Sequence, residues 1–362
     1  MALSTLFTQN FRNLDSCTLS LHKDMNFLVG DNGSGKSSCL EAIFYLGHVK
    51  SFRTTKTENL VNFEKSGFVL SALDETDKRF GLGRDIVSGN IELKVNAEKV
   101  SKLSEFAKCL AVQIITPESF KLFSGGAKER RKFVDLGLFH VEHSFSNVWI
   151  LFNRALKQRN SSLKSESGWQ QEVYWRKEFC KLSEQVAELR RVYINALKSE
   201  LDVWLNVLMP DIVEDIGVSY LQGWNSKKDL SQVLEENLEK ERERTFSLFG
   251  AHKFDIRFTY RRNAIEASLS RGQQKLFLLA LTFAQTRLIA RVNSIKPILL
   301  VDDIGAELDS HSRSAFQHAI RDLDCQVIVS AIDEKSLEPI IPEDNNYKMF
   351  HVEHGRISEK SK

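Results

Sequence analysis

The sequence predicts an α/β fold organised around a phosphate-binding loop and interrupted by a mainly helical lobe. Three observations carry this prediction. An apolar run, Met25 to Val29, leads through Gly30-Asp31-Asn32-Gly33-Ser34-Gly35-Lys36-Ser37 into a helical face of Cys39, Leu40, Ile43, Phe44 and Leu46. Pro297 to Val301 is continuously apolar, as strands buried on both faces are, and Cys325 to Val329 reads as another apolar strand. From Leu122 onward, helical periodicity replaces strand patterning. The expected division is residues 1–121 with 246–362 in one lobe and 122–245 in the helical one.

A chain of 362 residues makes one large or two moderate domains, and 42% hydrophobic content fills a substantial core. The formal net charge is only +2, so any nucleic-acid contact must come from a local patch rather than a bulk field. The five cysteines lack C-x-x-C spacing, which argues for a reducing compartment and against a zinc site or disulfide framework. The N-terminus lacks a basic stretch followed by an apolar one, and no apolar run approaches the ~18 residues of a membrane span. A soluble, cytoplasmic protein without a membrane partner is expected.

The loop matches G-x-x-x-x-G-K-[ST] at every fixed position and has the strand before it and the helix after it that the motif requires. Its chemistry is anion capture. Glycines let successive N–H groups from Gly30 to Gly35 turn inward on phosphate oxygens, and the helix start adds partial positive charge. Lys36 is expected to reach the β- and γ-phosphates of a nucleotide, and the Ser37 hydroxyl to ligate Mg²⁺.

Before the loop, Leu6 to Phe11 and Cys17 to Leu21 read as strands joined by a turn at Asn13-Leu14-Asp15. After it, Arg53 in Ser51-Phe52-Arg53-Thr54 is either a phosphate contact or a solvated loop arginine. Residues 60–116 are β-rich, with strand patterns at Gly67 to Leu73, Arg79 to Arg84 and Asn90 to Val95. Gln113, read as a strand-end residue before Thr116-Pro117-Glu118, either orients Mg²⁺ or water, or is simply polar there. Lys121, Lys128, Arg130, Arg131 and Lys132 form a basic cluster, open between a solvated helix face and a contact to phosphate.

The longest helical pattern covers 173–209, with Leu182, Val186, Leu189, Tyr193, Leu197, Leu201, Trp204 and Leu208 in a stripe of roughly 35 residues, ~50 Å of helix. That is too short for an extended coiled-coil arm. One further charged helix is expected from Leu230 to Arg244. Leu269-Ser270-Arg271-Gly272-Gln273-Gln274-Lys275 opens a helix that is apolar nearly all round, with Ser270 as its N-cap and Gly272 admitting a ligand to the backbone. The strand Pro297 to Val301 ends in Asp302-Asp303, one carboxylate for the Mg²⁺ side of a phosphate loop and one to polarise water. Gly305-Ala306-Glu307-Leu308-Asp309 follows, and residues 347–357 read as a final hairpin.

The order of phosphate loop, Gln113, Leu269 to Lys275 and Val301 to Asp309 resembles that of ABC-type ATPases, with Leu269-Ser270-Arg271-Gly272-Gln273 in the place of their signature. Asn10-Phe11-Arg12-Asn13, Leu40-Glu41-Ala42-Ile43, Ser51-Phe52-Arg53, the segment Gly125 to Asp135 and Arg159-Asn160 narrow the resemblance to the RecF family, bacterial recombination mediators related to SMC-type ATPases. The resemblance covers nearly the whole chain. It implies an ABC-type head with an inserted, mainly helical second lobe and no long coiled-coil arm. It also implies weak ATP hydrolysis used as a switch, ATP-dependent homodimerisation, binding to single-stranded and gapped or duplex DNA, and loading of RecA with RecO and RecR. By resemblance, Lys36 and Ser37 hold nucleotide and Mg²⁺, Gln113 is the glutamine-loop residue, and Ser270 and Gly272 belong to the signature. Asp302 is then the metal-side carboxylate, Asp303 the catalytic one, and Arg12 and Arg53 additional nucleotide contacts.

The sequence departs from the family pattern at Asp303, where most ABC ATPases have Glu, at Ala127, Ala251 and Phe254, and in having no histidine directly after the Cys325–Val329 strand. The competing reading is an ABC-type module of another process. A transport energiser would need a membrane-docking surface and usually that histidine; SMC-like chromosome organisation would need a long arm.

Overall fold

The structure is a computed structural model that describes residues 2–164, 168–293, 296–304, 310–344 and 346–360. The segment 305–309 therefore lies outside the described residues. The chain forms two compact units, one of residues 1–119, 203–210 and 271–362, the other of 120–202 and 211–270. Against the expected 122–245, the second unit extends to residue 270, because 216–264 contribute a three-stranded sheet of their own.

The first unit holds two six-stranded sheets. One is antiparallel, from β1 (Leu3–Gln9), β2 (Cys17–Ser20), β4 (Gly67–Asp74), β5 (Arg79–Asp85), β6 (Ile91–Val95) and β7 (Glu98–Lys99), in the order β2-β1-β4-β5-β6-β7. Its inward face alternates as a half-buried sheet must: Phe68, Leu70 and Ala72 of β4 are buried and Val69 is not. The other contains β3 (Met25–Val29), β8 (Val112–Ile115), β12 (Ile298–Val301), β13 (Gln326–Ala331), β14 (Tyr347–Glu353) and β15 (Arg356–Glu359), in the order β15-β14-β3-β13-β12-β8. Every pair is parallel except β14 with β15. Strands β3, β12 and β13 are buried along their full length, which is why they are mainly apolar, with Asn26, Gln326 and Ser330 as buried polar residues. The expected terminal hairpin exists, but β14 also joins the sheet parallel to β3. The helix Lys36–His48 packs Leu40, Ile43 and Leu46 into a core shared with Phe11, Phe68 and Leu300.

The second unit is helical around β9 (Ile216–Leu221), β10 (Asp255–Tyr260) and β11 (Asn263–Ala264). The longest helix, Trp169–Leu208, spans 40 residues, and its predicted stripe is buried apart from Leu189. Its last residues, from Val203, belong to the first unit. The single charged helix expected at 230–244 is two, Leu230–Glu236 and Leu238–Arg244, broken at Asn237, whose φ of −113° is not helical. No helix among the described residues is long and apolar enough to cross a membrane.

Candidate nucleotide site

Strands β3, β13 and β12 run parallel and adjacent, so their C-terminal ends open on the same edge of the sheet. The phosphate loop leaves β3, and Asp302 and Asp303 leave β12. Gly33 at φ +79° and Gly35 at φ +123° give the loop its left-handed turns, a conformation costly for any residue with a Cβ. A Cβ at Gly30 would lie 2.1 Å from the Val352 carbonyl oxygen, so the loop packs backbone to backbone against β14. Asn13 clamps the loop from the other side. Its Nδ2 donates to Gly33 O at 3.1 Å, and its Oδ1 accepts from Ser38 Oγ at 2.7 Å. The Gly355 N–H donates to Ser34 O at 2.8 Å, which ties the β14–β15 turn to the loop as well.

Lys36 opens the helix and is 7% exposed. Its Nζ folds back to donate to Gly30 O at 2.5 Å and Asp31 O at 2.9 Å, both uncharged acceptors. Burial pushes the ammonium below the ordinary lysine pKa, and the charges of Asp303, Asp302 and Asp31 pull the other way. Ser37 Oγ donates to Asp302 Oδ1 at 2.9 Å, across 265 positions of sequence. The structure thus brings Lys36, Ser37, Asp302 and Asp303 together at the loop.

Arg12, at φ +56°, holds the fully buried Glu41 with two bonds, Nε to Oε2 at 2.8 Å and Nη2 to Oε1 at 2.7 Å. Ser51 Oγ also donates to Glu41, and itself accepts the N–H groups of Arg53 and Thr54 at 2.9 Å each. Arg53 lies 3.8 Å from Glu41 with 47% of its side chain exposed. Both arginines therefore converge on a carboxylate of the helix Lys36–His48.

Gln113 differs from its expected position. It is the second residue of β8, in register with Leu299, rather than a residue at the strand end. Asp302 follows Val301, which pairs with Ile115, so Gln113 sits three positions, about 10 Å, behind the carboxylate edge. Its side chain is buried and its Nε2 has no hydrogen-bond partner among the described residues. The apolar Ile114-Ile115 prolongs the strand past it, so a direct role toward a metal or water is not supported in this geometry.

The helix Arg271–Asn293 begins directly after the exposed Ser270. A Cβ at Gly272 would meet nothing within 4 Å, so this position faces open space.

In the second unit the basic cluster divides: Lys121, Lys128 and Lys132 are exposed, while Arg130 and Arg131 are half-buried. Arg130 grips Asp255 with two bonds of 2.8 and 2.9 Å, and Arg131 Nη1 donates to Phe254 O at 3.1 Å. Lys132 pairs with Glu129 while its side chain stays exposed. Arg130 and Arg131 are thus not a free phosphate-binding surface.

Sequence reading did not single out Asn13, Glu41, Ser330 or Gly355. Asn13 carried a turn signal and Glu41 lay inside a quoted motif; Ser330 and Gly355 have no local signal, because their partners are set by strand order.

A glycine loop on a parallel sheet, a strand-end aspartate bonded to the loop serine and a Leu-Ser-Arg-Gly-Gln helix start define the class as the ABC-type ATPase head found in SMC proteins. The family model for the RecF/RecN/SMC N terminal domain matches residues 2–358. The chain is 52% identical, over 99% of its length and 97% of the relative's, to the DNA replication and repair protein RecF of Colwellia psychrerythraea. It is 39% identical, over 99% of both chains, to the protein of the same name from Pseudoalteromonas translucida. Among solved structures, the recombination mediator protein RecF with ATP in the RecFOR pathway aligns over 99% of this chain and 98% of its own, with a TM-score of 0.86 at 23% identity. An SMC head bound to the C-winged helix domain of ScpA aligns with a TM-score of 0.59 at 15% identity over 100% and 98% of the two chains. The chain belongs to the RecF family.

Proposed function

We propose that this protein is an ATP-dependent DNA-binding switch of replication and recombinational repair. ATP closes a two-fold homodimer on single-stranded, gapped or duplex DNA, and slow hydrolysis releases it. The observation that carries the reading is the Lys36–Ser37–Asp302 arrangement: a buried ammonium resting on neutral carbonyls, beside a hydroxyl and a carboxylate already in contact. Phosphate oxygens are stronger acceptors for Lys36 than the two carbonyls that now hold it.

The Ser37 hydroxyl and the Asp302 carboxylate are hard oxygen donors and suit Mg²⁺, which uses one or two protein ligands and completes its shell with phosphate and water. When bound, Mg²⁺ supplies positive charge against the phosphates. The remaining work belongs to the chain. The N–H groups of Gly30 to Gly35 orient the phosphates, Lys36 neutralises them, and Asp303 polarises the attacking water. A carboxylate one methylene shorter than Glu reaches that water from farther back, which fits a turnover well under ~1 s⁻¹ and a long-lived ATP state. Asp303→Asn should block hydrolysis and leave ATP binding and dimerisation intact. Arg53 keeps donors free for phosphate beyond its long ion pair, whereas Arg12 supports the site through Glu41.

The open face at Gly272 suits closure of the site by the Ser270–Gly272 segment of a second copy. In that head-to-tail arrangement, mixing Lys36→Ala and Ser270→Arg proteins regenerates one complete site. ATP-dependent dimerisation should return on mixing; if it does not, the composite site is wrong. Cooperation with RecR and RecO, and through them loading of RecA, rests on family membership. The decisive experiment measures binding of the purified protein to gapped and blunt duplexes with and without ATP. Binding that ignores ATP on every substrate would overturn the switch.

A further inference from the structure

The sheet order puts β13 between the strand that carries the phosphate loop and the strand that carries the two aspartates. Ser330, the penultimate residue of β13, sits in register with Leu28 of β3, one step past the Val329–Val301 pair. It is fully buried. Its Oγ donates to Asp302 Oδ1 at 2.8 Å and accepts the Asp303 N–H at 2.8 Å. A single hydroxyl thus touches both residues of the pair, and the same Oδ1 accepts from Ser37. Asp303 sits at φ +52°, where a residue with a Cβ needs its surroundings to hold it. Among the described residues, the side-chain oxygen bonded to its N–H is that of Ser330.

We propose that Ser330 is a positioning residue for the nucleotide site: it fixes the rotamer of Asp302 for the divalent cation and holds the Asp303 backbone in the left-handed turn that aims its carboxylate. The hydroxyl suits both tasks because it is donor and acceptor at once, and its site on the intervening strand leaves it the same distance from each partner. Among the described residues, alanine would leave Asp302 Oδ1 with Ser37 alone and remove the side-chain acceptor of the Asp303 N–H. Threonine keeps the hydroxyl and is a favourable strand residue. The proposal rests on the reading of this site as an ATP and Mg²⁺ site.

The test compares wild type, Ser330→Ala, Ser330→Thr, Asp302→Asn and the Ser330→Ala/Asp302→Asn double variant. Two titrations serve as readouts besides turnover: ATP binding in EDTA, and ATP binding as Mg²⁺ is added back. Ser330→Ala should bind ATP in EDTA within about twofold of wild type, and need about tenfold more Mg²⁺ for half-saturation, the scale of one hydrogen bond to a charged group. Its turnover should fall by at least the same factor. Ser330→Thr should recover most of both. In the Asp302→Asn background, Ser330→Ala should leave the Mg²⁺ dependence unchanged, since Ser330 acts on the cation through Asp302. A Ser330→Ala protein with wild-type Mg²⁺ dependence overturns the proposal, even if its melting temperature or rate drops, because that pattern marks a purely structural residue. A wild type that binds no ATP removes the site reading and the Ser330 role with it.

Discussion

Lys36 in the first unit and Arg159 in the second are both buried cations, and their partners differ in kind. Lys36 donates to two neutral carbonyls and makes no ion pair among the described residues. Arg159, with no exposed surface, donates to Glu172 Oε1 at 3.1 Å, Glu241 Oε2 at 2.6 Å and Ser247 Oγ at 2.6 Å. The second unit repeats this with Arg190, which binds Asp135 twice at 2.9 Å, donates to Ala251 O at 2.6 Å and lies 3.7 Å over the Phe254 ring. A buried charge is tolerated only when compensated. Arg159 and Arg190 are compensated from within the fold, so they hold helices together. Lys36 is hydrogen-bonded to carbonyl dipoles, with Asp303, Asp302 and Asp31 acting only through space, which leaves its donors available to an anion.

The comparison can be broken first at Arg159. Arg159→Ala strands the buried Glu241 carboxylate and leaves Glu172 only the longer pair with Arg176 at 3.7 Å, and should cost about 3–5 kcal/mol of unfolding free energy in a urea titration. A loss below ~1 kcal/mol would mean the cluster is no structural anchor. Lys36→Ala should give the converse: unchanged melting behaviour, with ATP affinity reduced by about 100-fold or more, roughly 3 kcal/mol. Normal ATP hydrolysis by a well-folded Lys36→Ala protein would sink the assignment of the loop.

Acid sharpens the contrast less strongly and in both units. His48 and His252 are each pushed down to about 4, first of all by burial, with Nε2 against Val112 O at 2.8 Å and Ser247 O at 3.0 Å respectively. The unfolded chain takes up these protons below about pH 6.5, the folded chain only near pH 4. Stability is therefore intact above about pH 6.5 and falls as pH drops toward 4, by at most on the order of 3 kcal/mol per histidine. His48→Gln should remove its share of the slope between those pH values; an unchanged slope would place the acid sensitivity elsewhere.

The smallest effect concerns DNA. Lys128 is one of three exposed lysines of its cluster, with Lys121 and Lys132, and a single lysine makes at most one phosphate contact. Lys128→Ala should weaken DNA binding by no more than about threefold at moderate salt. Arg130→Ala should instead lower stability, through the stranded Asp255. A large drop in DNA affinity for Arg130→Ala at unchanged stability would return this helix to the DNA surface.

These contrasts also mark where sequence is legible. The phosphate loop could be read because strand, glycines and helix are contiguous, and Asp302 because an apolar run stops at it. Gln113 lies inside its strand and not at the end, because Ile114 and Ile115 extend it two residues further. Arg130 looked like a surface cation because its carboxylate, Asp255, is 125 residues away. The break at Asn237 was hidden by the Glu, Lys and Arg on either side, good helix formers that leave no stop signal.

By itself the sequence determined the class of the fold, the loop with Lys36 and Ser37, the aspartate pair and the long helix with its buried stripe. Each is a short-range pattern in which the residues that act together are neighbours in the chain. Only the tertiary structure decided which strand lies between β3 and β12, that Ser330 therefore touches Asp302 and Asp303, that Glu41 collects Arg12 and Ser51, and that Arg130 and Arg131 face inward. The physical reason is the pairing of strands far apart in sequence. Periodicity tells a strand that it is buried, and carries no information about which neighbour will bury it.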